Sequence, residues 1–336
     1  MMPRLIVGVC LMAVFCHLAI SPALAQYTTV DGVGWEGQGA DLAIANLDGD
    51  SRPDMVLMAY DNPAQANTFR YKIGWNLNSN GVATRWDSNF VTVEGVGWEG
   101  QGAGVAIANL DGDSRPDMVL MAYDNPAQAN TFRYKIGWNL NSNGVATRWD
   151  SNFVTVEGVG WEGQGAGVAI ANLDGDSRPE MILMAYDNPA EANTFRYKIG
   201  WNLNSNGVAA RWDSNFVTVE GVGWEGQGAG IAIANLDGNS RPDMVLMAYD
   251  NPAQANTFRY KIGWNLNNNG VAARWDSNFV TVEGVGWEGQ GAGVAIENLD
   301  EYSRPEMILM AYDNPAEANT FRYKVLRNLN NNGVAT

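Results

Sequence analysis

Apolar and polar residues alternate along short segments of this chain. Over residues 132–140, large apolar side chains occupy every second position, and polar or small residues stand between them. This period of two predicts a β-strand with one buried face. Residues 118–123 form an unbroken apolar run, which suits a strand covered on both faces. Residues 104–110 and 148–157 complete a predicted set of four strands, and no segment has a convincing helical period.

The four-strand pattern recurs five times with a period of 63 residues. Trp35, Trp98, Trp161, Trp224 and Trp287 mark equivalent positions, and the units are nearly identical. Four strands per repeat is typical of a β-propeller blade. We therefore predict an all-β, five-bladed β-propeller that residues 26–336 form as a single domain. An open solenoid of stacked units is the alternative.

The two ends of the repeat array predict how a ring would close. Residues 27–30 align with the fourth strand at residues 90–93. The last unit stops at residues 333–336, just before its own fourth strand would begin. The N-terminal strand is therefore expected to complete the last blade, which removes two exposed sheet edges.

The first 25 residues have the features of a secretory signal peptide. Arg4 precedes an apolar run at residues 5–20, and residues 23–25 form a small-x-small cleavage site. We expect a secreted, extracellular chain that begins near Gln26 and has no membrane span after cleavage. An uncleaved anchor is the alternative.

Composition limits the chemistry of the remaining chain. The only histidine and the two cysteines, His17, Cys10 and Cys16, all precede the expected cleavage site. A chain from Gln26 onward therefore offers no catalytic triad, zinc site, cysteine nucleophile or disulfide framework. The net charge of −16 and the pI of about 4.4 argue against nucleic-acid binding through a basic face.

Each unit carries a short acidic loop between its first and second strands. In the first unit the loop reads N-L-D-G-D-S-R-P-D from Asn46 to Asp54, with oxygen-bearing side chains at positions 1, 3, 5 and 9. Alternate side chains of a tight loop can surround a hard cation, and the position-7 carbonyl can add a ligand. A polar Asx turn that merely connects two strands is the alternative.

This loop, followed by M-V-L-M, resembles the calcium loop of FG-GAP/VCBS repeats, which occur in integrin α-subunit propellers and in some secreted lectins. The resemblance covers every unit and implies Ca²⁺ at about four sites. Position 1 is Asn where that family usually has Asp, and blades of that family usually number seven. The ligands that the resemblance implies, with each arginine acting through its backbone carbonyl, are Asn46, Asp48, Asp50, Arg52, Asp54, Asn109, Asp111, Asp113, Arg115, Asp117, Asn172, Asp174, Asp176, Arg178, Glu180, Asn235, Asp237, Asn239, Arg241 and Asp243.

The fifth acidic loop, residues 298–306, departs from the other four. Tyr302 replaces the position-5 oxygen ligand, and Glu301 replaces the glycine. We expect weak calcium binding there or none. In the fourth loop Asn239 replaces the position-5 aspartate, which is a milder loss of charge.

A second set of loops is expected on the opposite face of the ring, because antiparallel strands place successive connections at alternate ends. Each unit brings a tryptophan, carboxylates and amides to this face. An aromatic ring packs against the C–H side of a sugar, and carboxylates and amides bind its hydroxyl groups. Alternatively, the tryptophans wedge between blades, and the Asp-Asn-Pro segment is simply a turn. The candidate ligand-binding residues are Trp35, Glu36, Gln38, Asp61, Asn62, Asn67, Trp98, Glu99, Gln101, Asp124, Asn125, Asn130, Trp161, Glu162, Gln164, Trp224, Glu225, Gln227, Trp287, Glu288 and Gln290.

The positions of side chains within the predicted strands indicate how these side chains pack. Trp75 and Trp86 are expected to pack in the core rather than to bind ligand. Arg70 and Lys72 alternate on one strand face and are expected to be solvated or paired with neighbouring acids.

The leading hypothesis is a secreted, monomeric, calcium-binding protein that binds carbohydrate or glycoprotein at several equivalent sites, as a lectin does. Adhesion to an extracellular protein through the same face is the second hypothesis. A carboxylate-dependent polysaccharide hydrolase or lyase is the third. Near-identical units argue against an enzyme, because catalysis usually needs one asymmetric set of residues with separated pKa values.

Overall fold

The computed structural model describes residues 27–32, 37–61, 68–95, 100–124, 131–158, 163–187, 194–221, 226–250, 257–285, 289–300, 304–313 and 320–335. Within these ranges every regular element is a β-strand. A helix suited to crossing a membrane is accordingly absent from the described residues. The predicted signal peptide, residues 1–25, lies outside them.

The strands form five antiparallel sheets, one for each sequence repeat. Blade 1 consists of β2 (Gly37–Ala45), β3 (Asp54–Asp61), β4 (Phe69–Leu77), β5 (Ala83–Trp86) and β6 (Val91–Val93). The equivalent strands are β7 (Gly100–Ala108), β8 (Asp117–Asp124), β9 (Phe132–Leu140), β10 (Ala146–Trp149) and β11 (Val154–Val156) in blade 2; β12 (Gly163–Ala171), β13 (Glu180–Asp187), β14 (Phe195–Leu203), β15 (Ala209–Trp212) and β16 (Val217–Val219) in blade 3; β17 (Gly226–Ala234), β18 (Asp243–Asp250), β19 (Phe258–Leu266), β20 (Ala272–Trp275) and β21 (Val280–Val282) in blade 4; and β22 (Gly289–Glu297), β23 (Glu306–Asp313) and β24 (Phe321–Leu326) in blade 5, which β1 (Thr28–Val30) completes.

The first strand of each blade lies at the centre of a closed ring. β2, β7, β12, β17 and β22 each contact the next, and β22 contacts β2. Glycine allows this close approach: a Cβ on Gly165 would lie 2.5 Å from the backbone nitrogen of Ala229 in the next blade. At the last junction, a Cβ on Gly291 would lie 2.3 Å from the nitrogen of Ala40. The fold is therefore the predicted five-bladed β-propeller and not an open solenoid.

The N-terminal strand completes the last blade, as the alignment of the two chain ends predicts. β1 pairs antiparallel with β24, with Thr28 opposite Tyr323 and Val30 opposite Phe321. Val30 is buried in one hydrophobic cluster with Phe321 and Tyr323. The Tyr323 hydroxyl also donates a hydrogen bond of 2.9 Å to the carbonyl of Gly81 in blade 1. Blade 5 is thus joined to β1 by strand pairing and to blade 1 by a hydrogen bond.

The hydrophobic core is divided into clusters that lie between neighbouring blades. Between blades 1 and 2, Tyr71 and Trp75 pack with Val105. Trp75 is 1% exposed, and its indole N–H donates to Asp87 at 2.7 Å. The ring of Trp86 packs over β4, so close that a Cβ on Gly74 would lie 2.7 Å from it. Both tryptophans therefore have the packing role that their positions within strands predict.

The fourth strand of the blade is interrupted, and the prediction of one strand over residues 148–157 is wrong in this respect. In blade 2, β10 and β11 are separate, and both pair with β9. Asp150 marks the break: its N–H donates to the Ile136 carbonyl at 3.0 Å, and its carboxylate accepts the Trp138 indole N–H at 2.7 Å. The turn-forming residues 151–152 then lead the chain out of the ladder.

In blades 2 to 5 a buried lysine links the blade to the preceding one. Four lysine ammonium groups lie 3.2–3.8 Å from a glutamate that follows the last strand of the preceding blade. Lys135, 3% exposed, pairs with Glu94 at 3.4 Å and lies 4.6 Å from the Phe153 ring centroid. These four lysines are both buried and paired with acids. Lys72, for which we expected a solvated or an acid-paired side chain, is buried and forms no such ion pair within the described residues; Asp31 stands where the other blades have glutamate.

Asp31→Glu is expected to add an ion pair with Lys72 at the junction of blades 5 and 1. The glutamates of the other pairs are exposed, so the gain should be small, about 0.5 kcal/mol. Calorimetric melts at low and at high salt would measure it, since salt screens an exposed partner. Asp31→Asn is the matched control and should not stabilise the protein. A gain that persists in high salt would contradict the ion-pair explanation.

Candidate functional site: the acidic loops

Each acidic loop is anchored by the buried acid at position 9. In blade 1 the Asp54 carboxylate accepts hydrogen bonds of 2.8 Å from the backbone N–H groups of Leu47 and Asn76. Burial raises the pKa of Asp54, and the hydrogen bonds from Asn76 and Leu47 offset part of that rise. Asp54 lies at the end of the loop, in β3, while Leu47 lies near its start and Asn76 lies in β4. The Asp54 side chain therefore ties both ends of the loop to the second and third strands of the blade.

The exposed part of the loop is a series of Asx turns. Gly49 N–H donates to Asn46 Oδ1 at 2.8 Å, Asp50 N–H to Asp48 Oδ1 at 3.1 Å, and Arg52 N–H to Asp50 Oδ1 at 2.6 Å. Gly49 has a φ of +83°, which permits the sharp turn. Asp48 and Asp50 thus each use Oδ1 to hold the backbone, and neither Oδ2 is needed for these turns. The Asx turns and a cation site are therefore compatible.

Carboxylate oxygens converge inside the loop. In blade 3, one oxygen from each of Asp174, Asp176 and Glu180 lies within 4.8 Å of the other two. Two ligands on opposite sides of Ca²⁺, each at about 2.4 Å, are about 4.8 Å apart, so this spacing fits one calcium ion. The donors are all hard oxygens, which suit Ca²⁺ better than a transition metal. The residues present therefore fit the predicted ion.

The same turns recur in blades 1 to 4. Among the described residues, three carboxylate oxygens within 4.8 Å of one another occur in blade 3, so ion coordination in the other loops stays a prediction. In all four loops the position-1 amide contacts the backbone carbonyl of position 5, and the position-7 N–H donates to the position-5 side chain. In blade 4 the Asn239 amide also donates to Asp237 Oδ2 at 2.8 Å, so the substituted loop keeps the same turns.

The fifth loop is described only in part. Glu301 and Tyr302 lie outside the described residues, so the loss of calcium binding in this blade stays a prediction. Glu306 keeps the anchoring contact, because its carboxylate accepts the Leu299 N–H at 2.8 Å.

The side chains of the predicted ligand-binding face are not described, but the strands that carry them are. In blade 1, Gly37 pairs with Asp61, Tyr60 with Phe69, and Phe69 with Val93. These strand ends lie together at one end of the sheet, opposite the acidic loop. Outside the described residues lie Trp35, Glu36, Asn62, Asn67, Trp98, Glu99, Asn125, Asn130, Trp161, Glu162, Trp224, Glu225, Trp287 and Glu288; the backbone alone is described for Gln38, Asp61, Gln101, Asp124, Gln164, Gln227 and Gln290.

One carboxylate breaks the five-fold repeat close to the axis. Asp41 stands where the other blades have glycine, as at Gly104 and Gly293. It is 2% exposed and accepts hydrogen bonds from the N–H groups of Leu42 at 2.9 Å and of Val105, in the next blade, at 3.0 Å. Burial raises the pKa of Asp41 well above its ordinary value, and the two hydrogen bonds offset this only in part. An alignment of the units reveals the substitution, but only the fold shows that it lies at the axis.

Asp41→Gly, which copies the other blades, is expected to change how stability depends on pH. The pKa of Asp41 is higher in the folded chain than its ordinary value of 3.8, so the folded state binds the proton more tightly. The wild type therefore loses stability as pH rises from about 4 through the folded-state pKa of Asp41. The variant lacks this contribution and keeps only the losses due to other buried acids, such as Asp54. The melting temperature of the variant relative to wild type should increase between pH 4 and pH 8.

Asp41→Ala is the matched variant for this experiment, because it removes the carboxyl group but keeps a Cβ. Both variants should show the same pH trend even if their melting temperatures differ. If the melting temperatures of the variants differ from that of the wild type by the same amount at every pH, the assignment of a raised pKa to Asp41 is contradicted.

The fold and the loops define this chain as a five-bladed β-propeller with four well-formed acidic loops in the described residues. No family model matches the sequence, and no curated protein matches it. Among solved structures the chain is similar to AofleA from Arthrobotrys oligospora, at 8% identity over 93% of this chain and 88% of that one, with a TM-score of 0.46. It is similar to the six-bladed, fucose-recognising lectin of Aleuria aurantia, at 10% identity over 82% and 72%, with a TM-score of 0.46. It is also similar to the exo-β-1,3-galactanase of Phanerochaete chrysosporium, at 10% identity over 90% and 64%, with a TM-score of 0.48.

Proposed function

We propose that this chain is a secreted, calcium-binding, multivalent protein that binds carbohydrate through the face opposite the acidic loops. The observation that carries the proposal is the five-fold arrangement of the strand ends at that face. Each blade presents the start of its first strand, the end of its second and the start of its third at the same end of the sheet. The closed ring therefore repeats one set of attachment points five times.

The sequence attached at these points supports carbohydrate as the ligand. Each repeat carries Trp-Glu-Gly-Gln where the first strand begins, with Gly-Gln as its first two residues, and Asp-Asn-Pro where the second strand ends, with Asp as its last residue. A tryptophan ring covers the apolar side of a sugar, while carboxylates and amides bind hydroxyl groups. Equivalent weak sites on one rigid ring gain avidity by factors of about 10² to 10⁴ when a ligand spans several of them.

Calcium has a structural role in this proposal. The ions would be held by positions 1, 3, 5, 7 and 9 of the loops in blades 1 to 4, where they would neutralise the clustered carboxylates. An extracellular site of this kind binds with a Kd of about 0.1–1 mM. At a hundredfold excess of Ca²⁺ over Kd, each site would add roughly 2.7 kcal/mol to the free energy of unfolding. A chelator should lower the melting temperature and Ca²⁺ should restore it; an unchanged melt would contradict the calcium part of the proposal.

A glycan array followed by calorimetric titration would test the carbohydrate part. We expect Trp98→Ala to weaken sugar binding while the melting temperature stays nearly unchanged. Trp75→Ala is the matched control, because Trp75 is a core residue whose loss should cost about 3–5 kcal/mol. If Trp98→Ala destabilises the protein as much as Trp75→Ala and no glycan binds, the tryptophans pack between blades and the proposal is wrong. Binding to extracellular proteins without any glycan binding would favour adhesion instead.

A further inference from the structure

An asparagine near the end of the third strand has an unusual backbone conformation in every blade. Asn76, Asn139, Asn202 and Asn265 have φ values of 53° to 55°, and Asn328 of blade 5 has 50°. Side chains other than glycine rarely adopt this left-handed region, and glycine would adopt it at lower cost. The repeated choice of asparagine indicates that the amide side chain has a role at this position.

The asparagine lies directly against the acidic loop. Its backbone N–H donates to the position-9 acid, as from Asn139 to Asp117 at 2.7 Å. Its side chain reaches position 5: with the amide nitrogen of Asn139 turned toward Asp113, the two carboxylate oxygens are 2.5 and 3.1 Å away. In blade 4, Asn265 Oδ1 accepts a hydrogen bond of 2.5 Å from the position-5 residue Asn239. The amide therefore borders the space in which the loop oxygens converge.

In two blades the amide oxygen is buried without a partner. Asn76 Oδ1 and Asn202 Oδ1 are inaccessible to solvent and accept no hydrogen bond from the described residues. A buried acceptor without a donor is costly, and such atoms call for a physical explanation. A cation in the loop would provide the missing partner, since an amide oxygen is a favourable ligand for Ca²⁺.

We propose that Asn76, Asn139, Asn202 and Asn265 each supply a further oxygen ligand to the cation of the neighbouring acidic loop. The inference rests on the proposed calcium binding of these loops. The loop alone offers five ligand positions, whereas Ca²⁺ takes six to eight oxygens. The side-chain amide makes a different contact in each state of the loop. In the metal-free loop its nitrogen donates to the position-5 carboxylate, and in the metal-bound loop its oxygen faces the ion. The ion thereby connects the loop to the third strand as well as to the first and second.

Replacement of all four asparagines by glycine would test this role. Glycine keeps the left-handed backbone and the N–H bond to the position-9 acid, so only the amide is lost. We expect Ca²⁺ binding, measured by calorimetric titration, to weaken about tenfold or more, while the metal-free melting temperature stays the same or rises. Luminescence lifetimes of bound Eu³⁺ in H₂O and D₂O should show one additional coordinated water per ion. Unchanged affinity and an unchanged water count would overturn the proposal.

Replacement of the same four residues by aspartate provides a second, independent measurement. A carboxylate at the proposed ligand position should tighten Ca²⁺ binding and lower the metal-free melting temperature, because it adds repulsion beside position 5. An added charge raises the affinity even without coordination, so the number of waters on bound Eu³⁺ decides the test. If asparagine only holds the backbone, the aspartate variant should have as many coordinated waters as the glycine variant. The wild-type titration separates the two proposals. If the wild type binds no Ca²⁺, the proposed calcium function fails; if wild type and glycine variant bind alike, the ligand role alone fails.

Discussion

Deletion of residues 27–30 is expected to lower the melting temperature steeply and to cause aggregation. These residues include β1, which covers the outer edge of β24 and places Val30 in a cluster with Phe321 and Tyr323. Burial of a valine side chain contributes about 1.5–3 kcal/mol, and the ladder bonds to β24 are lost with it. The loss should therefore reach about 3 kcal/mol or more. The exposed edge of β24 then offers unpaired backbone groups to other chains.

A rescue variant makes this experiment specific to the missing strand. In the deletion variant, a copy of residues 274–282 would be appended after Thr336, so that blade 5 acquires the two short outer strands that follow the third strand in blade 4. The extended variant should recover the melting temperature and elute as a monomer in size-exclusion chromatography. A deletion variant that is monomeric and as stable as the parent without the extension would contradict the role of β1 in ring closure.

The sequence predicts the architecture well because the repeat is explicit and the third strand has a clear period of two. β9 covers residues 132–140 as predicted, since alternate side chains of this strand enter the core between blades. The first strand is less well predicted: β7 begins at Gly100 rather than at residue 104. Three of its first four residues are small, and the fourth, Gln101, is polar, so they carry no apolar signal. The three are small because the inner strands approach one another at the axis, which is a property of the closed ring.

In the candidate site, too, the local sequence predicts some features, and others depend on the tertiary structure. The spacing of Asn46, Asp48, Asp50 and Asp54 predicts the acidic loop, because all of these residues belong to one turn. The contact of Asn76 with Asp54 joins residues of different strands, and no local motif predicts it. The burial of the lysines likewise depends on the neighbouring blade, so the alternation of charged residues along one strand is compatible with a solvated face as well.

Gly165→Ala is expected to destabilise the propeller by about 3 kcal/mol, because the added Cβ has no space at the axis. It would lie 2.5 Å from the nitrogen of Ala229 and 2.8 Å from the carbonyl carbon of Gly228, which are backbone atoms of the next blade. Neither atom can move unless the whole inner strand moves. Gly165 is not among the glycines with positive φ, so alanine would meet no conformational obstacle of its own. The expected loss is therefore a measure of interblade packing.

Gly175→Ala, in the same blade, is the matched control for this interpretation. Gly175 has a φ of +83° and no atom within 4 Å of its would-be Cβ, so alanine there meets backbone strain but no contact. That strain should cost about 1–2 kcal/mol. Urea denaturation of both variants should be measured with a chelator present, because Gly175 belongs to an acidic loop. If Gly165→Ala costs no more than Gly175→Ala, the inner strands have room to separate, and the close approach at the axis does not explain why each blade has glycine at this position.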